Sequence, residues 1–207
     1  MSGRWVAMEE LTPVPVAFYT RPTLEVASAL LGMTLARRVG EGVAAGIIVE
    51  TEAYIAAIDP AAHGHRGQTA RNRSMFGSAG RAYVYFTYGM HCCCNVVTER
   101  EGTAGAVLIR ALEPTRGVEL MRARRGAAIA NRDLCRGPGR LCQALAITLT
   151  EDGADLCGAT LWIAETPGAL APPPVTVSPR IGISQAVELP WRFYVPGSRY
   201  VSGQPWR

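Results

Sequence analysis

Glu50 and Glu52 stand two residues apart in an apolar run, residues 47–54, Ile-Ile-Val-Glu-Thr-Glu-Ala-Tyr. In an extended chain alternate side chains share a face, so Glu50, Glu52 and Tyr54 point one way and Val49, Thr51 and Ala53 the other. A carboxylate taken out of water binds its proton more tightly, which suits it to proton transfer. Two carboxylates on one face also fit a glycosidase-type pair. The plainer reading is that both are exposed or paired with arginine, and this stretch alone favours it. Further polar candidates lie in a segment broken by glycines, residues 55–81, which holds His63 and His65. Tyr83 and Tyr85 share one side of the run 82–87, and Tyr83 reads as the core member of the two.

The six cysteines include a run, His91-Cys92-Cys93-Cys94, that has the composition of a metal cluster. Consecutive side chains on a strand face opposite ways and do not converge on one ion, so these cysteines read as small apolar residues. No metal or cofactor is expected. All 21 basic residues counted as Lys+Arg are arginine, which removes lysine Schiff-base chemistry. Residues 61–140 carry 13 arginines against 5 acidic residues, and no acid lies between Asp59 and Glu99. Such a one-signed middle points to a polyanion, with nucleic acid the leading candidate.

These groups need a scaffold. At 207 residues with 48% hydrophobic content, the chain can bury one core, and one domain over 17–207 behind a loose arm, 1–16, is the expectation. No run approaches the roughly 20 apolar residues of a membrane span, and no secretory leader is visible, which implies a cytoplasmic protein. Arg21-Pro22-Thr23 opens a helix with proline at its first position, Leu24, Ala27, Leu30 and Leu31 on one face, and Gly32 at its end. Residues 34–38 and 43–54 predict a hairpin about Gly40-Glu41-Gly42. Residues 82–87 and 92–97 predict a second, turning through Tyr88-Gly89-Met90-His91. Apolar residues at such a turn fit insertion between base pairs or packing under a loop. A strand over 106–112 ends before Pro114. A helix over 118–125 puts Leu120 and Met121 inward and Arg122, Arg124 and Arg125 outward. Arg136-Gly137-Pro138-Gly139-Arg140 is a tight basic turn suited to a phosphate, ahead of a helix from Leu141. Residues 160–164, 180–183 and 191–195 read as short strands.

Several of these blocks together resemble one family. Val49-Glu50-Thr51-Glu52-Ala53-Tyr54, Ala61-Ala62-His63 and Thr69-Ala70-Arg71-Asn72-Arg73-Ser74-Met75-Phe76 come first. Tyr83-Val84-Tyr85, Tyr88-Gly89-Met90, Asn95 and Arg110-Ala111-Leu112-Glu113-Pro114 follow. Leu134-Cys135, Gly137-Pro138, Leu141-Cys142-Gln143-Ala144-Leu145, Arg180-Ile181-Gly182-Ile183 and Arg192-Phe193-Tyr194-Val195 complete the set. In this order they resemble the alkyladenine DNA glycosylases, the mammalian-type 3-methyladenine DNA glycosylase family, over about residues 17 to 202.

The resemblance implies an α+β fold, a single mixed domain around a curved antiparallel sheet with a protruding DNA-binding hairpin. It implies a monomeric, monofunctional hydrolase that flips alkylated or deaminated purines out of double-stranded DNA and excises them. 3-Methyladenine, 7-methylguanine, hypoxanthine and ethenoadenine would be its lesions. By position, Glu52 matches the general base, Arg110 an arginine that helps hold the water, and the Ile181 carbonyl a third contact. Tyr54, His63 and Tyr85 match the base-contacting residues, and Asn95 the residue that disfavours guanine. Tyr88 matches the side chain that fills the vacated stack, with Met90 beside it. Arg71 and Arg73 fall in the basic rim, and Arg140 stands where the family usually has a phosphate-binding lysine. The residues 91–94 and 55–58 depart from the family pattern. A hydrolase for free nucleosides and a non-catalytic minor-groove binder remain as alternatives.

Overall fold

β-Branched and small residues favour extended backbone, and among the described residues they build one all-antiparallel sheet of eight strands, five before residue 117 and three short ones after residue 160. The computed structural model describes residues 11–87, 89–169 and 171–203. In chain order the elements are α1 (Thr23–Ala29), β1 (Thr34–Val39), β2 (Gly42–Ile55), β3 (Ala82–Thr87), β4 (His91–Thr98) and β5 (Gly105–Arg116). Then come α2 (Val118–Arg125), α3 (Pro138–Leu145), β6 (Leu161–Ala164), β7 (Thr176–Ser178) and β8 (Arg192–Tyr194). Sheet order is β3-β4-β5-β2-β1-β6, with β8 joining β2 and β7.

The 14-residue β2 organises the sheet. One edge pairs with β5; the other is shared, first by β1 and then by β8 at residues 50–52. The sheet curls, giving the expected α+β fold. One face packs against α1, α2 and α3 through Val26, Leu30, Ile48, Ile109, Met121, Leu141 and Leu145. A smaller cluster of Ala56, Ala62, Met75, Tyr83, Val97, Ala104 and Ala106 forms apart from that core and includes residues of the long loop, 56–81. The loop is tied down by Asn72, whose amide donates to the His63 and Gly67 carbonyls and accepts from Thr69. At Gly64 a Cβ would stand 2.9 Å from Ala56 Cβ and 3.0 Å from Ala104 Cβ, so the loop lies too close to the sheet for a side chain there.

A pair of compensating irregularities marks the middle of β2. Ile48 pairs with Leu112, Glu50 with Ala111 and Thr51 with Ile109, so Val49 on β2 and Arg110 on β5 are each an extra residue. The register is the same on both sides of this double bulge. Bulges re-aim side chains, and this one corrects the alternation expected for β2. Val49 packs with Ala111 and Val201 instead of joining Ala53 in the main core. Thr51 does turn away, donating to the Ala27 carbonyl of α1.

Other expectations shift in detail. Pro22 is the residue before α1, in extended conformation, and Glu99 accepts from the Thr23 N–H at 3.0 Å. β5 continues through Pro114, which pairs with Gly46. Leu120 is exposed while Met121 is fully buried. The arginines of α2 are not simply outward, for Arg124 donates to the Ala144 carbonyl and Arg125 to the Leu134 carbonyl and Gln143, lashing α2 to α3. Residues 180–183 form no strand. Pro179 precedes them, Gly182 takes φ +78°, and the Ile181 N–H is spent on a side chain. Three-residue β7 has no counterpart among the expected strands. Residues 1–10 of the expected arm lie outside the described residues; Pro13 and Val14 bond to β6.

Candidate active site

The double bulge brings Arg110 between the two carboxylates of β2. Its Nε donates to Glu50 Oε1 at 3.0 Å, its Nη1 to Glu52 Oε2 at 3.0 Å and its Nη2 to Ser202 Oγ at 3.2 Å. Both carboxylates are fully buried. Glu50 also accepts from Arg192 Nε at 2.7 Å, the Ser202 N–H at 2.6 Å and Ser202 Oγ at 3.0 Å. Glu52 accepts instead from the Tyr54 hydroxyl at 2.9 Å and the Ile181 N–H at 2.7 Å. Burial raises the Glu52 pKa above the usual carboxylate range; Arg110, the Ile181 amide and the Tyr54 hydroxyl oppose that rise, and Glu50 adds to it. Burial by itself would lower the Arg110 pKa, but Glu52 and Glu50 beside it outweigh that and raise it.

Next to Glu52 opens a cavity of about 460 Å³, within the roughly 300–1,000 Å³ of small-molecule sites. Glu52 lies just behind its wall, because Tyr54, Arg110 and Ile181, its three donors, all line the cavity. A carboxylate offers about four acceptor positions. Three on Glu52 are taken, which leaves room for one more donor.

The aromatic side of the cavity comes from β2, β3 and the long loop. The His63 and Tyr85 rings meet edge to face at 4.5 Å between centroids, leaving no room for a base between those two. His63 Nδ1 is 2.8 Å from the Tyr83 hydroxyl. Burial, with Arg71 nearby, lowers the His63 pKa, so its imidazole is neutral at neutral pH. Tyr83 is buried as expected, yet it also lines the cavity. Asn95 lines it too, its amide donating to the Tyr83 carbonyl at 3.0 Å.

β4 carries the cysteine run past this cavity. Cys93 lines it while Cys94 enters the main core, the alternation expected of a strand. Burial pushes the Cys94 thiol up to about 12 and the Cys142 thiol well above its ordinary range. Among the described residues no three His, Cys, Asp or Glu side chains group as a metal set.

At the rim, β3 and β4 close through Thr87 and His91, and Met90 in their turn is 70% exposed. Tyr88, the expected stack-filling residue, lies outside the described residues. Arg66, Arg71, Arg73, Arg81, Arg100, Arg132 and Arg140 are exposed, while Arg110, Arg116, Arg122, Arg124, Arg125 and Arg136 are not. Arg71 donates to the Phe86 carbonyl, tying the loop to the hairpin. Of the six that are not exposed, only Arg110 is buried and the other five are part-exposed, so about half of the basic middle is withdrawn from full exposure. Sequence reasoning missed Arg192 and Ser202, the partners of Glu50, and Asp59, which pairs with Arg180. The segment 181–185, read partly as a strand, is cavity wall.

A curled antiparallel sheet that holds a buried, arginine-paired carboxylate behind an aromatic cavity defines an α+β protein with one candidate site for a flat ring. Residues 17–199 match the model of the methylpurine-DNA glycosylase family, and the chain belongs to that family. A Burkholderia orbicola protein provisionally named a 3-methyladenine DNA glycosylase is 54% identical over 193 residues, 93% of this chain and 92% of the relative. Relatives from Rhodopseudomonas palustris and Methanoculleus marisnigri carry the same provisional name. They are 53% and 51% identical, covering 92% and 91% of this chain and 90% and 98% of their own lengths. The family is one of DNA glycosylases, so DNA is the substrate class that membership implies.

Proposed function

We propose that the protein removes alkylated or deaminated purines from duplex DNA by hydrolysing the N-glycosidic bond, with Glu52 as general base. The observation that carries this reading is the place of Glu52. It is a desolvated carboxylate of raised pKa whose three donors all face one aromatic cavity. A base inside the duplex is out of reach, so the nucleotide is extruded into that cavity. Tyr54 and the His63–Tyr85 pair supply stacking surface, and Asn95 and neutral His63 supply polar edges for the base. Exposed Met90 and the exposed arginines supply the contacts with the duplex.

The reaction passes through an oxocarbenium-like sugar. Glu52 stabilises that charge and takes a proton from water as the water attacks the anomeric carbon. In the free protein Tyr54, Arg110 and Ile181 stand between the carboxylate and the cavity, so water reaches the unused acceptor position between them as DNA binds. Arg110 opposes the rise that burial imposes on the Glu52 pKa and so favours the ionised form the base needs. No lysine amine is present to form a Schiff base with the abasic sugar, which supports a reading as a hydrolase that leaves the strand intact.

The test is single-turnover base release from duplexes carrying one hypoxanthine or one 1,N6-ethenoadenine, wild type beside Glu52→Gln. Release by wild type that disappears in the variant, with lesion binding kept, supports the reading. Undiminished release by Glu52→Gln refutes it.

A further inference from the structure

No step of this reaction uses the ion pair of Asp59 and Arg180, although both side chains are fully buried beside the site. The pair is bidentate, with Arg180 Nη2 donating to Asp59 Oδ1 at 2.8 Å and Nη1 to Oδ2 at 2.5 Å. Nη1 also donates to the Ala53 carbonyl on β2. The guanidinium carbon lies 4.6 Å from the centroid of the Tyr54 ring and 5.3 Å from that of Trp191. Arg180 does not line the cavity and Tyr54 does, so Arg180 backs the ring from the interior. The residue after Arg180 is Ile181, whose N–H holds Glu52 Oε1; the Tyr54 hydroxyl holds Oε2. One ion pair thus abuts both neutral donors of the carboxylate.

A buried ion pair is a poor way to gain stability, since desolvation offsets most of the attraction. Its fixed fork is a good way to hold two elements in register. We propose that Asp59–Arg180 is a positioning pair for Glu52. It fixes the plane of the Tyr54 ring and presses the Ile181 amide onto the carboxylate, which couples the base-stacking wall to the general base. The role assigned to Glu52 rests on the glycosylase reading; the positioning itself does not.

Charge and position make opposite demands here. Facing Glu52 are Arg110 from β5, Glu50 and Tyr54 from β2, Cys93 from β4, Arg192 from β8 by way of Glu50, and Arg180 behind Tyr54. Removing the Asp59 carboxylate deletes one negative charge and frees a cation, which by charge alone lowers the Glu52 pKa. Loosening the Ile181 and Tyr54 donors raises it.

The experiment is a carbon-13 carboxyl NMR titration of Glu52 in wild type, Asp59→Ala and Arg180→Lys, with single-turnover release of hypoxanthine in parallel. Arg180→Lys keeps the charge and loses the fork, so it decides the question even where Asp59→Ala fails to fold. The expected result is a Glu52 pKa higher by about one unit or more in the variants, the size of one charge-assisted hydrogen bond. The acid limb of base release moves up with it. A Glu52 pKa that is unchanged or lowered in Arg180→Lys overturns the proposal. Wild type that releases neither hypoxanthine nor a methylated purine defeats the glycosylase reading, and the titration still decides whether the pair positions the carboxylate.

Discussion

Glu50 and Glu52 face the same way on one strand, share one arginine and are equally buried, yet they stand in two different regions. Around Glu50 the partners come from β5, β8 and Ser202 near the end of the described chain, and none but Arg110 lines the cavity. Around Glu52 every donor lines the cavity. Glu50 has two arginines and a serine, which hold four donated bonds; Glu52 has one arginine and two neutral donors. The first arrangement ties three strands together. The second leaves a carboxylate ionisable, under tension with its burial, and one layer behind the cavity wall. Two similar carboxylates two residues apart are set to different tasks by what the bulge and the distant chain bring to them.

The largest effect should come from breaking the cavity side. Glu52→Gln is expected to slow base release by about 10²–10⁴-fold, the usual share of a general base, while thermal denaturation shows the fold retained. The anchor should break differently. Glu50→Ala strands Arg192 and part of Arg110 without charge partners in the interior, which costs about 3–5 kcal/mol in urea unfolding. A Glu50 variant as stable as wild type but inactive would reverse the two roles.

How far these roles can be read from the chain follows the same division. The strand 82–87, the helix 118–125 and the face shared by Glu50, Glu52 and Tyr54 rest on local alternation and spacing, and the structure has them so. The partners that separate the two carboxylates lie 142 and 152 residues from Glu50 and 129 from Glu52. No local pattern specifies contacts at that range. The double bulge at Val49 and Arg110 leaves no local mark either, because each strand keeps its β-rich composition while the register shifts and returns. The basic middle is only half legible for a related reason. Arginine composition does not show that Arg124 and Arg125 are spent on carbonyls of α3 and its approach.

Two smaller effects sharpen the comparison. The folded-state pKa of Glu52 lies above its unfolded value, so the native wild type holds that proton more tightly. Relative to Glu52→Gln, wild type should be most stable at acid pH. It should lose that advantage as pH rises through the raised pKa, by about 1.4 kcal/mol for each pH unit that separates the folded and unfolded pKa values. Urea midpoints of both proteins across pH 4–8, roughly the span in which such linkage acts, check the sign. The smallest effect separates the arginines. Arg66→Ala or Arg73→Ala, at exposed positions, should change stability by no more than about 0.5 kcal/mol yet flatten the salt dependence of duplex binding by about one phosphate contact. Arg125→Ala should do the reverse, lowering stability and leaving the salt slope unchanged.

The most direct test of Glu52 as the reacting carboxylate is the pH dependence of single-turnover hypoxanthine release by wild type. Glu52 must be ionised to accept a proton, and burial raises its pKa. Activity is therefore expected to fall on the acid side along a one-proton limb whose midpoint lies above the ordinary carboxylate value of about 4.3. A limb at or below that value, or a rate that stays level as the solution is acidified while the protein remains folded, would contradict the account.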